Sequence, residues 1–192
     1  MLSQALSAST DQPFAPNQQA LLSGDVLIST RPHTLTGAAV TAQMYLPLVR
    51  SQIWTQLTDY SRWVHYFPDI VHSQVVEPVL EAKASSRRVT RRLYQVARKA
   101  FLLFSAQVEV HLQVVESMNQ CIQFRLERGN FSDFAADLVL EDFQQGTLLT
   151  YSVRATPLIP APSFLIQEAM RQDLPGNMRT MRQVLCQPSA SS

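Results

Sequence analysis

Apolar and polar residues alternate with period two along most of the chain, the signature of strands with one dry and one wet face. Val26 and Ile28 alternate with polar neighbours until Pro32 interrupts. The pattern resumes with Ala38, Val40, Ala42, Met44 and Leu46 on one side and Thr41 and Gln43 on the other. This predicts a first strand in two pieces. From Ile70 the period returns. Val71, Ser73 and Val75 predict one strand and residues 87–98 another. The clearest covers 104–115, where Phe104, Ala106, Val108, Val110, Leu112 and Val114 oppose Ser105, Gln107, Glu109, His111 and Gln113. Three more follow: Ile122, Phe124 and Leu126; Phe134, Ala136, Leu138 and Leu140; and Leu149, Tyr151, Val153 and Ala155. Turn chemistry near Asn119, Gly129-Asn130 and Gln145-Gly146 separates them. Successive strands with one wet face make an antiparallel meander.

Helical spacing occurs in two places. Pro47 is expected to open a helix whose stripe is Val49, Ile53 and Leu57, with Trp54 beside it. A second short helical turn is expected over Ser61–Tyr66, ended by Pro68. After Pro157, Pro160 and Pro162 a long helix is predicted over 163–187, with Ile166, Met170, Leu174, Met178, Met181 and Leu185 on its apolar side. Pro175 should remove the hydrogen bond to the Arg171 carbonyl and kink this helix, and Asp173 should cap its second half. The expected fold is α+β: a curved antiparallel sheet of about six or seven strands over a long C-terminal helix. Residues 1–19 and 188–192 show no periodicity and are expected as tails around one domain, 20–187.

Composition narrows the function. Hydrophobic residues make up 46% of the 192, enough for a core, so disorder is excluded. The balance of 16 Lys and Arg against 15 Asp and Glu gives no global attraction for nucleic acid. No apolar run approaches the roughly 20 residues of a membrane helix, and the N-terminus has no secretory pattern. A soluble, cytoplasmic protein is expected. Cys121 and Cys186 form either a lone disulfide or two reduced thiols. No metal-ligand spacing or phosphate-binding glycine loop occurs, so no metal or cofactor is expected.

Three segments carry a resemblance. IWTQLTDYSRWVHYFPDI, Ile53 to Ile70, resembles a helix-helix signature. GNFSDFAADLVLE from Gly129, with GTLLTYSV from Gly146, resembles a strand pair, and DLPGNM from Asp173 a closing helix. Together they resemble the START-like (SRPBCC) superfamily, in its polyketide cyclase/dehydrase and coenzyme Q-binding branch, over roughly residues 34–187. The resemblance implies a helix-grip (START-like or Bet v 1-like) fold with a cavity between sheet and helix. Members bind lipids, isoprenoid quinones, polyketides and plant hormones; some are enzymes and many are carriers. Related sequences often have Gly and Trp near Ala136 and Leu138, and the aliphatic side chains here change the cavity's shape.

On this basis the expected cavity residues are Trp63, His65, Tyr66, Phe67, Arg91, Tyr94, Phe104, Phe124, Phe134, Leu138, Tyr151, Phe164, Met170, Met178 and Met181. The aromatics at 63–67 either gate the mouth or anchor the short helices. The methionines either line a deformable pocket or are plain core. In the basic run Arg87, Arg88, Arg91, Arg92, Arg98 and Lys99, alternation points at least one Arg inward, where it needs a carboxylate or a ligand acid. The alternatives are a solvated face and a face docking an anionic membrane or an acidic protein. His65 and His72 are the acid–base candidates, but no catalytic constellation is recognisable. The expected function is binding or carrying a hydrophobic small molecule, a lipid, isoprenoid quinone or polyketide-like compound. Two alternatives stay open: a polyketide cyclase/dehydratase using His65, Tyr66, Arg91 or Tyr151, and an assembly module using the basic strand 87–99. The expected partner is the ligand, with no nucleic acid and only transient membrane or protein contact.

Overall fold

The computed structural model describes residues 15–35, 37–77, 88–100, 105–158 and 163–187. Among these, the alternating segments form eight strands of one antiparallel sheet: β1 (Leu27–Pro32), β2 (Ala38–Leu46), β3 (Ile70–Glu77), β4 (Arg88–Ala100), β5 (Ser105–Ser117), β6 (Cys121–Gly129), β7 (Phe131–Phe143) and β8 (Gly146–Pro157). Their order across the sheet is β1-β2-β8-β7-β6-β5-β4-β3. The last six form the expected meander, and β8 returns to pair with β2, from Ala38 opposite Ala155 to Leu46 opposite Thr147. The strand expected in two pieces is a hairpin, with Leu27 of β1 opposite Gln43 of β2 and Pro32 opposite Ala38. That hairpin raises the strand number above the expected six or seven. Pro32 is tolerated because β1 is an edge strand, where a missing N–H costs little.

Alternation became burial where it was strictest. Along β2, Ala38, Val40, Ala42, Met44 and Leu46 are buried, and the residues between them are half-buried. Leu112 and Val114, Ile122 and Phe124, Ala136, Leu138 and Leu140, and Leu149 complete the dry wall. Two bulges reset the period. One lies between Ile70 and His72, and it leaves Val71, expected inside, exposed. The other lies between Phe131 and Asp133 and brings Phe131 beside Phe134, ring centroids 5.5 Å apart. At a third, where β5 shifts register against β6, Gly129 sits at φ 152° with the Glu109 carbonyl only 2.3 Å from where a Cβ would stand. Only glycine fits that approach.

The long helix α4 (Ser163–Cys186) runs unbroken through Pro175. Asp173 therefore lies within the helix, a correction to its expected place as the cap of a separate second half. Leu174, Met178, Met181 and Leu185 are buried on the predicted face. The helix packs against β2, β1 and the short helix α3 (Trp63–Tyr66), and Arg182 Nε donates to the Tyr45 carbonyl at 3.1 Å. Helix α2 spans Arg50–Leu57, so Pro47 precedes it rather than opening it, and Val49 is an exposed cap with Ile53 and Leu57 buried. Arg50 clamps Asp142 of β7 with two bonds of 2.7 Å, fixing the start of α2 on the sheet. A 3-10 turn, Tyr60–Arg62, leads from α2 into α3.

Helix α1 (Ala15–Leu22) begins in the segment 1–19 expected as a tail and runs on into the expected domain. Its sequence has no amphipathic stripe, and its anchor is Leu21, buried near Leu27, Phe143 and Leu148. These residues are on the outer face of the sheet. An apolar outer face needs a cover, and α1 supplies it.

Candidate functional site

The aromatic run after α2 is held by its polar tips. Trp63 Nε1 donates to the Leu57 carbonyl at 2.9 Å, Tyr66 Oη to the Gln56 carbonyl at 3.0 Å, and Tyr60 Oη to Glu116 at 2.9 Å. With these tips fixed, the Trp63 ring stacks on Phe67 at 5.6 Å and meets the edge of Phe124 at 4.9 Å. The cluster lies over the concave face of the sheet but does not fill it.

A cavity of about 180 Å³ remains. Trp63, Phe67 and Ile70 cover it. Gln95 and Ala97 of β4, Val108 and Val110 of β5, Phe131 and Phe134 of β7 and Tyr151 of β8 complete its wall. Among the described residues no charged side chain lines it. Its polar groups are the Gln95 amide, whose nitrogen donates to Ser73 Oγ at 3.0 Å, and the Tyr151 hydroxyl. A second space, about 200 Å³, lies beneath the N-terminal half of α4, walled by Met170, Asp173, Leu174 and Asn177 with Asp69 and Val153. Phe67 and Tyr151 belong to both walls, their ring centroids 5.8 Å apart, and together form the partition between the two spaces. A larger groove, about 450 Å³, runs between α2 and the end of α4, lined by Gln52, Thr55, Gln56 and Gln187 together with Leu48, Leu185 and Cys186.

The expected cavity residues divide sharply. Trp63, Phe67, Phe134 and Tyr151 line the first space and Met170 the second. Phe124, Leu138, Met178 and Met181 are packed core and line neither. Tyr66 is also core, its hydroxyl engaged. His65 is exposed. Tyr94 points outward, where its hydroxyl donates to Glu109 at 3.0 Å and its ring lies between His72 and His111. Phe104 and the side chain of Phe164 lie outside the described residues. Ile70, Gln95, Ala97 and Phe131 were missed. Parity with buried Leu93 marks Gln95 and Ala97 as inward, while Ile70 and Phe131 owe their direction to the bulges.

Arg91 points inward as alternation required, and its partner is a carboxylate of the protein itself. Its Nε donates to Glu116 at 2.7 Å, and Glu116 also accepts the Tyr60 hydroxyl. Arg92 pairs with Glu127 at 3.0 Å, so the run is neutralised at these two positions by carboxylates of β5 and β6. Arg87 lies outside the described residues. His65, Tyr66, Arg91 and Tyr151 therefore do not converge on one pocket, and the cyclase constellation built from them is not assembled. Cys121 and Cys186 are free thiols rather than a disulfide. Among the described residues no cluster of His, Cys, Asp or Glu is arranged to hold a metal, and no helix is long and apolar enough to cross a membrane.

Burial raises the phenols of Tyr60, Tyr66 and Tyr151 above their ordinary value, with Glu116 adding to the effect at Tyr60. Each phenol then ionises more easily in the unfolded chain, which has a pKa near about 10. Their contribution to stability is complete below that pH and declines as the pH rises above it. Urea unfolding compared at pH 9 and pH 11 is expected to show the loss, with a slope of up to about 1.4 kcal/mol per pH unit for each phenol. An unchanged unfolding midpoint at the higher pH would show that these hydroxyls are not sequestered.

The comparisons with known proteins agree with this architecture. The family model described as polyketide cyclase/dehydrase and lipid transport matches residues 46–182. No curated protein sequence matches the chain. Among solved structures, a STAR-related lipid transfer protein of Xanthomonas axonopodis superposes with TM-score 0.63 at 16% identity, covering 84% of this chain and 94% of its own. A START superfamily protein of Mycobacterium smegmatis gives 0.62 at 12% identity, covering 77% and 96%. The Zhui aromatase/cyclase of Streptomyces sp. R1128 gives 0.59 at 10%, covering 78% and 93%. At these identities the structures establish a shared helix-grip fold. The family match spans well over half of the chain, and the chain belongs to the polyketide cyclase/dehydrase and lipid transport family.

Proposed function

We propose that this protein binds an apolar small molecule against Trp63, Phe67, Phe131, Phe134 and Tyr151, and carries it without transforming it. The observation behind this reading is an apolar cavity of about 180 Å³ kept open inside an otherwise filled sheet. Left empty, its apolar wall stays in contact with water, at a cost of roughly 25 cal/mol per Å². A bound apolar molecule recovers much of that cost. A dry space of comparable volume holds one small ring. A longer ligand, such as a lipid chain, a polyketide-like compound or an isoprenoid quinone, needs the second space as well, reached by displacement of Phe67. Carriage is preferred over catalysis because His65 is exposed and the Tyr66 hydroxyl and Arg91 are already bonded within the protein, which leaves the Tyr151 hydroxyl without a catalytic partner among them. The family's name and the lipid transfer protein of similar fold support the same ligand class.

The test is saturable binding of the fluorophore N-phenyl-1-naphthylamine, with native mass spectrometry of the purified protein to read any co-purified lipid. Ala97→Phe places a ring in the cavity and is expected to weaken the fluorophore by at least about tenfold, the value of filling its volume, with the far-UV circular dichroism unchanged. Absence of binding to the wild type, or equal binding to both proteins, rejects the site.

A further inference from the structure

We infer that the ligand is uncharged and carries a hydroxyl or carbonyl oxygen that hydrogen-bonds to Tyr151, a specification that rests on the cavity reading above. Tyr151 is only 7% exposed, yet its hydroxyl makes no hydrogen bond among the described residues. The trapped polar atom without a partner is Arg62 Nε and not this oxygen, so the hydroxyl keeps open space beside it. That space belongs to the two cavities the side chain separates. A phenol held out of water normally finds a partner within the protein. Here no hydrogen bond from a described side chain reaches it, and a molecule occupying the space supplies the partner.

The same walls exclude a charged headgroup. A buried carboxylate or phosphate needs a cation or several donors. The first cavity has no charged side chain among the described residues, and the inward-facing cation of the adjacent strand, Arg91, is committed to Glu116. A neutral oxygen is what remains, with Tyr151 as donor to a carbonyl or as either partner of a hydroxyl.

Displacement of N-phenyl-1-naphthylamine by 2-nonanone, nonane and nonanoate at pH 7.5 tests this in the wild type and in Tyr151→Phe, which keeps the ring and its volume. The affinity for the ketone relative to that for nonane is expected to fall about 3- to 10-fold in the variant, the worth of one hydrogen bond. Nonanoate is expected to bind the wild type at least about tenfold more weakly than the ketone, a comparison that needs no variant. An equal ratio of ketone to nonane affinity in the two proteins, failure of the ketone to displace the fluorophore, or nonanoate as tight as the ketone each overturns the inference while leaving the cavity intact. A wild type that does not bind the fluorophore overturns the cavity reading itself, and the inference with it.

Discussion

Trp63→Ala is expected to destabilise the protein by about 3–5 kcal/mol, the range for removing a large aromatic from a core. The ring is 3% exposed and stands where α3, the β6 wall and the cavity roof meet. It stacks on Phe67 with planes 14° apart, meets Tyr66 and Tyr60 at 6.3 Å, and presses on Phe124. Its indole N–H also satisfies the Leu57 carbonyl at the end of α2. The site cannot collapse, because the ring already borders an open space, so the cost belongs at the upper end of the range. Trp63→Phe separates the two contributions. It keeps apolar bulk but leaves the carbonyl unpaired, and about 1–3 kcal/mol is expected from that loss. Urea unfolding followed by far-UV circular dichroism measures both. A loss below about 1 kcal/mol for the alanine variant would mean that the cluster does not hold α3 on the sheet.

Glu116→Ala is expected to cost about 3 kcal/mol or more, for an electrostatic reason. The carboxylate is 5% exposed and takes two bonds, one from Arg91 and one from Tyr60. Its removal leaves a guanidinium facing the interior and a buried hydroxyl without an acceptor. The Arg91 side chain is 30% exposed, so water relieves part of the penalty, which keeps the expectation at the lower end of the range for buried pairs. Arg91→Met combined with Glu116→Leu removes both charges together and is expected to recover most of the loss. Unfolding free energies of the two singles and the double close the cycle. A sum of single effects equal to the double would show that the two side chains act independently. The cluster also explains why the inward arginine leaves the cavity uncharged: its charge is met at the wall and never reaches the ligand space.

Much of the fold was legible in residue order because strands expose their direction through parity. The faces of β2, β5, β6, β7 and β8 were read correctly from alternation, and the buried stripe of α4 from its spacing. What was not legible has identifiable causes. A bulge inserts one residue without changing composition, so the inward turn of Phe131 and Ile70 left no trace in the pattern. Helix α1 forms without an amphipathic stripe, and the outer apolar face it covers is evident only once Leu27, Phe143 and Leu148 are side by side. Of the aromatic run, parity does not apply to a helical turn, so Trp63 and Phe67 on the cavity could not be told from His65 in solvent and Tyr66 in the core. The Met residues at helical spacing divided along the length of α4: Met178 and Met181 fill the grip and Met170 borders open space.

Phe67 occupies the extended residue that closes α3, before β3 begins, and so belongs to no strand or helix. The Phe67 half of the barrier between the two spaces is thus carried by a connector, while the Tyr151 half and the walls are fixed by strand register. Connectors accept substitution more freely than the elements they join. The size of the inner space and the scaffold around it are therefore separable under mutation: trimming the Phe67 ring widens the passage between the two spaces and leaves the strand pairing of the wall in place.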